Sequence, residues 1–168
     1  MVTAKRIAVV GVSASGKSHV ARLLAEKLSL PLTSTDSIMW KPGWEYVGDE
    51  TASEALKETA DRDEWIIEGY IPKPVRALVL SRADLVLHLD YPRHVAAWRY
   101  VKRWLRHRTD PRPELAGCPE KFDLKFLKLV WTKREGVSLK RYLDEVTPAE
   151  KVVRLTTPRK TQEYVRGL

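Results

Sequence analysis

Arg6-Ile7-Ala8-Val9-Val10-Gly11-Val12-Ser13-Ala14-Ser15-Gly16-Lys17-Ser18 is the stretch that decides how this chain folds. Its first five residues are a short, β-branched apolar run, the composition of a strand buried on both faces. From Gly11 to Ser18 the spacing is Gly-x-x-x-x-Gly-Lys-Ser. In that pattern backbone N–H groups point inward around phosphate oxygens, and the helix that follows adds the positive end of its dipole. Lys17 supplies a mobile charge for β- and γ-phosphates, and Ser18 offers a hydroxyl to Mg2+. The candidates for holding a nucleoside triphosphate, read as Mg·ATP, are Gly11, Ser13, Ala14, Ser15, Gly16, Lys17 and Ser18, with His19 where the helix begins.

Moving outward, Lys17 to Leu28 places Val20, Leu23, Leu24 and Leu28 at helical spacing, stopped by Leu30-Pro31. Pro31 to Thr35 reads as a weaker strand ending at Asp36. A polar helix is expected over Asp49 to Arg62, a strand over Trp65 to Gly69 and a short helix over Pro74 to Arg82. Asp84 to Asp90 is a fourth strand. Pro92 then opens a long helix to about His107, since proline suits a first turn. Pro111, Pro113, Gly117 and Pro119 make Thr109 to Pro119 a loop. A second helical region, broken near Gly136, is expected over Glu120 to Val146, before a fifth strand, Lys151 to Leu155, and a C-terminal helix after Thr157-Pro158. Alternating strands and helices predict a three-layer α/β/α sandwich around a parallel sheet, as one domain with a lid-like insertion at about 107–120.

Ligands of such sheets bind at the carboxyl ends of the strands. Asp36, Glu68 and Asp90 all fall there. Asp36 has the position of a metal-shell acid or of a general base for an acceptor hydroxyl, and its Thr-Ser-Thr-Asp-Ser setting equally suits a helix cap. Asp90, after Leu-His-Leu, has the form of a metal-holding acid, although Pro92 and Arg93 make a helix cap an equal reading. Glu68 is placed for substrate or for magnesium-bound water. Trp40, beside Trp44, either stacks on a base or packs the lobe. Arg99 and Arg103 share a helix face leading to the 107–120 loop, into which Arg106, Arg108 and Arg112 continue. A closing lid would bring such arginines to the charge that develops in phosphoryl transfer; a solvated basic helix is the plainer reading. Arg159 either stacks on adenine as a planar cation or is an ordinary surface arginine.

With 30 Lys and Arg against 22 Asp and Glu, the net charge of +8 suits a polyanionic partner, nucleotide or nucleic acid. Helix-turn-helix, zinc-finger and basic-zipper signatures are missing, so nucleic acid rests on charge alone. Cys118 is the only cysteine, which rules out an intrachain disulfide and fits a reducing cytoplasm. No apolar run has the length of a membrane span. The expectation is a cytoplasmic monomer or homodimer whose partners are ATP and a small-molecule acceptor.

Several blocks together resemble the bacterial proteins called DNA topology modulation proteins, which are adenylate-kinase-like. They are the phosphate loop, Asp36 with Trp40-Lys41-Pro42-Gly43-Trp44, Trp65-Ile66-Ile67-Glu68-Gly69, Leu89-Asp90-Tyr91-Pro92-Arg93, Trp98-Arg99 and Cys118-Pro119-Glu120-Lys121-Phe122-Asp123. The resemblance covers nearly the whole chain. It implies a five-stranded sheet ordered 2-3-1-4-5, an acceptor-binding region near 36–62 and an arginine-bearing lid near 104–122. By the same resemblance Arg76 would face an acceptor phosphate, while Arg99 and Arg103 would serve donor phosphates and the lid. The chain departs from the pattern at Glu68, where an aspartate is expected, and at His19, where a threonine is usual. The reading that follows is transfer of the ATP γ-phosphate to a nucleotide, nucleoside or other metabolite, with Lys17, Asp36, Arg99 and Arg103 as the catalytic candidates. The alternatives are an ATP-binding regulator of DNA topology and an ATPase switch acting on a protein partner.

Overall fold

The three central strands of one parallel sheet come from apolar runs buried on both faces, while the two edge strands are partly exposed. The computed structural model of the protein describes residues 4–132 and 134–168, with the backbone alone at 134 and 135. The strands are β1 (Arg6–Gly11), β2 (Leu32–Ser34), β5 (Trp65–Glu68), β6 (Leu85–Leu89) and β7 (Val152–Leu155), lying side by side as β2-β5-β1-β6-β7. Counted among themselves along the chain, that is 2-3-1-4-5. The numbers shift because a two-stranded antiparallel hairpin, β3 (Trp40–Lys41) and β4 (Glu45–Tyr46), sits between the second and third sheet strands. All four pairings within the sheet are parallel, β1 at the centre being in register with both β5 (Ile7 opposite Ile66) and β6 (Ile7 opposite Leu85).

Side chains alternate across the central strand and so feed two separate cores. Ala8 and Val10 pack with Leu56, Val75, Val79 and Leu143, contributed by α3 (Asp49–Ala60), α4 (Lys73–Arg82) and α7 (Arg134–Val146). Ile7 and Val9 pack with Val20, Ala21, Leu24 and Val165, from α1 (Lys17–Leu28) and α8 (Pro158–Gly167). The sheet is therefore covered on both faces, giving the three layers that the sequence pattern predicts. A smaller cluster, Val12, Ala96, Ala97 and Val130, packs the phosphate loop against α5 (Arg93–His107) and α6 (Leu124–Thr132).

Three boundaries differ from expectation. The second strand stops at Ser34, because Thr35 to Met39 turns into a short helix, α2, and Asp36 lies in its first turn. The helical region begins at Leu124 rather than Glu120: Glu120 N–H bonds to the His107 carbonyl at 3.0 Å and holds that stretch as loop. Gly136 itself lies inside α7; the region divides a few residues earlier, α6 ending at Thr132 and α7 beginning at Arg134, with residue 133 outside the described residues. No described helix is long and apolar enough to cross a membrane.

Candidate active site

A cavity of about 760 Å3 opens at the carboxyl ends of β1, β2 and β5. Its floor is the phosphate loop, whose left-handed residues Ala14 (φ 61°) and Gly16 (φ 93°) turn the backbone into a cup at the start of α1. A side chain at Gly16 would strain the backbone at that φ and push Arg99 aside. A Cβ there would lie 2.6 Å from a terminal guanidinium nitrogen of Arg99. That same nitrogen donates to the Ser15 carbonyl, and the guanidinium lies 5.0 Å above the Tyr91 ring. Arg99 therefore braces the loop from α5. Lys17 folds over it, Nζ donating to the carbonyls of Gly11 (3.1 Å) and Val12 (3.0 Å). Ser15 is wholly buried and outside the cavity lining, and its hydroxyl has no hydrogen-bond partner among the described residues. A cup of backbone N–H donors at a helix start fits an anion.

Glu68 enters the cavity from the end of β5, almost wholly buried. It accepts a 2.6 Å bond from the Ser34 hydroxyl, and Ser18, the loop serine expected to face magnesium, lines the cavity nearby. Burial raises its pKa above the ordinary carboxylate value. The Ser34 and Ser18 hydroxyls and the nearby Lys17 charge oppose that rise, and Asp36 adds to it. A carboxylate, a serine hydroxyl and a lysine thus converge where the loop ends, which is the chemistry of a Mg·phosphate site. Asp36 lines the same cavity from α2, and Trp40 follows it on β3.

The roof comes from α5 and the loop after it. Arg99, Arg103 and Arg106 succeed one another along the helix at spacings of four and three and all line the cavity, as does Lys102. Arg106 has no ion-pair partner among the described residues. Arg103 is taken up by Glu120. The Nε atoms of Arg103 and Arg112 both lie 3.0 Å from one oxygen of that carboxylate, with their N–H bonds off line, so these are ion pairs rather than aligned hydrogen bonds. Burial pulls the Arg103 guanidinium below its usual pKa, and the Glu120 charge works against that shift. Arg112 also approaches Glu114 (3.5 Å) and Asp36 (3.7 Å), linking the roof to the acid of α2.

Five expected site residues stand elsewhere, the buried Ser15 being one of them. Asp90 is buried at the end of β6 but does not line the cavity: Arg154 of β7 donates to it through Nε at 2.8 Å and through a terminal nitrogen. Arg76 donates twice to the Ile71 carbonyl, at 2.9 and 2.8 Å, between the rings of Tyr70 and Tyr142. Arg159 is exposed on α8 and pairs with Glu163 one turn away. Gly11 lends the cavity only its carbonyl, to Lys17. By contrast Ser13, Ala14, Gly16, Lys17, Ser18 and His19 all line it. Sequence reasoning missed Glu114 and Glu120 as site residues, while Trp44, weighed there with Trp40 as an aromatic that stacks or packs, also lines the cavity. Glu114 and Glu120 flank the Gly117-Cys118-Pro119 turn, whose composition marks a loop and gives no sign that its acids point inward.

No family model matches the chain. A shikimate kinase from Dehalococcoides mccartyi is 29% identical over an alignment of 104 positions that covers 54% of this chain and 59% of that relative's length. Among solved structures, a shikimate kinase from Bacteroides thetaiotaomicron superposes with a TM-score of 0.58 at 19% identity, covering 98% of this chain and 96% of its own. A gluconokinase from Sinorhizobium meliloti 1021 gives 0.57 at 21% identity, covering 96% and 87%. The chain has the fold of the small P-loop kinases. A third structure, the shikimate kinase of Acinetobacter baumannii in complex with shikimate, agrees (TM-score 0.59, 19% identity, 98% and 90% covered). At these identities the agreement concerns the fold. The small P-loop kinase frame accounts for the five-stranded parallel sheet, the glycine loop and the helix behind it.

Proposed function

We propose that this chain is an ATP-dependent phosphotransferase that moves the γ-phosphoryl group of ATP to a hydroxyl of a small metabolite. One observation carries the reading. The phosphate loop, two acids from other strand ends and a roof of arginines all open on one cavity of about 760 Å3, room for a nucleotide's phosphates and a small acceptor together. In the reaction an acceptor oxygen forms a bond to Pγ while the bond from Pγ to the bridging oxygen breaks, and ADP leaves. The acceptor's proton passes to the Asp36 carboxylate. Lys17 and Arg106 compensate charge on the phosphoryl oxygens, and Arg99 keeps the loop in shape.

Magnesium, when bound with ATP, supplies the charge that offsets the β- and γ-phosphate oxygens. Ser18 and Glu68 are the residues that would hold it. Their closeness to each other and to Lys17 supports this choice over Asp90, whose charge is already matched by Arg154.

The test is ATP turnover measured across a panel of acceptors: shikimate, with which the Acinetobacter relative was crystallised, then sugar acids, sugars, nucleosides and nucleotides. Turnover should rise several-fold with one class. ATP hydrolysis that no acceptor stimulates would overturn the reading in favour of an ATPase switch.

The finer resemblance to DNA topology modulation proteins brings in DNA as the other partner, in a cytoplasmic setting. The basic helix α5 is its support, since it holds no acid in 15 residues. Yet four of its five Arg and Lys residues (Arg99, Lys102, Arg103 and Arg106) line the cavity, which favours the small-molecule reading. Nanomolar DNA binding with a steep salt dependence would reverse that preference.

A further inference from the structure

The hairpin β3–β4 and the roof segment 113–120 are some 70 residues apart in the chain, yet they are fastened together. Gly43 N–H donates to the Gly117 carbonyl at 2.9 Å, and Trp44 Nε1 donates to the Pro119 carbonyl at 2.9 Å. The Cys118 thiol lies 3.1 Å from the Lys41 carbonyl. Gly117 is left-handed (φ 77°), and a Cβ on it would meet the Pro42 Cβ at 2.8 Å, so the two turns touch where only glycine fits. Trp44 is itself held at φ 65°, a backbone conformation that a bulky side chain adopts only where its surroundings impose it.

These contacts bear directly on the acceptor side of the cavity. Trp44 stands edge-on to Trp40 at 5.6 Å between ring centroids, and Trp40 packs on Tyr46 at 5.2 Å. Both tryptophans line the cavity, next to Asp36. The hairpin has only two paired residues in each strand, too few to keep its own geometry in water. Its shape therefore depends on the roof. The roof in turn carries Arg112, which reaches Asp36.

We infer that Trp44 is a positioning residue for the acceptor half of the reaction: it clasps the indole wall to the roof, so that the acceptor wall and the arginine-bearing lid move as one body. The inference rests on the kinase reading of the cavity and adds a coupling to it. Closure over the nucleotide sets the Trp40 wall beside Asp36, and an acceptor with an apolar or ring face next to its hydroxyl meets a wall already in place.

The experiment is amide hydrogen exchange read by mass spectrometry, with and without Mg2+ and a non-hydrolysable ATP analogue. In the unaltered protein the analogue should slow exchange in 113–120 and in 40–47 together. Trp44→Phe keeps an aromatic ring and removes the N–H donor. It should retain the slowing in 113–120 while that in 40–47 falls about fivefold, the factor expected for one hydrogen bond. Its melting temperature and its affinity for the analogue should stay close to those of the parent, which a merely destabilised hairpin would not allow. Gly117→Ala, which pushes Pro42 away, should uncouple the two segments in the same way. Slowing confined to 113–120 in the unaltered protein, or unchanged coupling in both variants, overturns the inference. An analogue that fails to bind overturns the kinase reading and this inference with it.

Discussion

Replacing Glu120 by glutamine tests the electrostatics of the roof. Its side chain is 4% exposed, and one of its oxygens lies 3.0 Å from the Nε of both Arg103 and Arg112, whose side chains are 23% and 11% exposed. At an effective dielectric constant near 20, each attraction amounts to about 5 kcal/mol. Two effects reduce the net loss. Glu120→Gln no longer has to bury a carboxylate, and Arg112 keeps Glu114 at 3.5 Å and Asp36 at 3.7 Å. Arg103 has no other carboxylate so close among the described residues and bears most of the change. The expected destabilisation is about 2–4 kcal/mol, in the range for breaking one side of a buried pair. For a domain of this size that lowers the melting temperature by roughly 5–15 °C. Urea unfolding followed by far-ultraviolet circular dichroism gives the free energy, provided the slope is unchanged. Adding Arg103→Met to the variant should restore at least about 1 kcal/mol, because the stranded cation is gone. A loss below about 0.5 kcal/mol, or no recovery in the double variant, would refute the reasoning that Glu120 holds these arginines by charge.

Lys17→Ala should abolish detectable ATP binding by calorimetry while leaving the fold intact; affinity within a few-fold of the parent would remove the phosphate-loop reading. Glu68 has a raised pKa in the folded state, so the native protein binds its proton more tightly than the unfolded chain does. The stability linked to that proton is present below the ordinary carboxylate pKa and is lost as the pH rises through the raised one. Glu68→Gln should therefore flatten the pH dependence of urea midpoints across that window and gain on the parent above it. In the same variant the magnesium concentration needed for tight ATP binding should rise about tenfold. Asp90→Asn, by contrast, should lower stability by about 1–3 kcal/mol through the loss of its pair with Arg154 while leaving the magnesium requirement unchanged. A shifted magnesium requirement would return Asp90 to the metal site.

The parts of this protein that were legible in its sequence are those governed by local chemistry. The run Arg6 to Val10 is apolar at every position from Ile7, and nothing but a strand buried on both faces suits it. The loop from Gly11 to Ser18 carries its conformation in its glycines, Pro158 marks a helix start because its fixed φ suits a first turn, and Pro92 stands just before the helix that begins at Arg93. Legibility fails where a residue's role depends on a partner distant in the chain. Asp90 and Glu68 both end apolar strands, and no local feature tells them apart. One meets Arg154 on the neighbouring strand and the other meets Ser34 and Ser18. The two-residue strands of the β3–β4 hairpin are too short to give an alternating pattern, so a Trp-Lys-Pro-Gly-Trp stretch reads as loop until the roof is seen to hold it.

By itself the sequence determined the alternating α/β frame, its central strand and the phosphate cup, because backbone preference and burial on both faces act within a few residues. Only the tertiary structure decided which acids and arginines share the cavity. A charge of given sign is equally at home in water, in a helix cap or against an opposite charge. The neighbour supplied by another strand or loop, Arg154 for Asp90 and Glu120 for Arg103, selects among these.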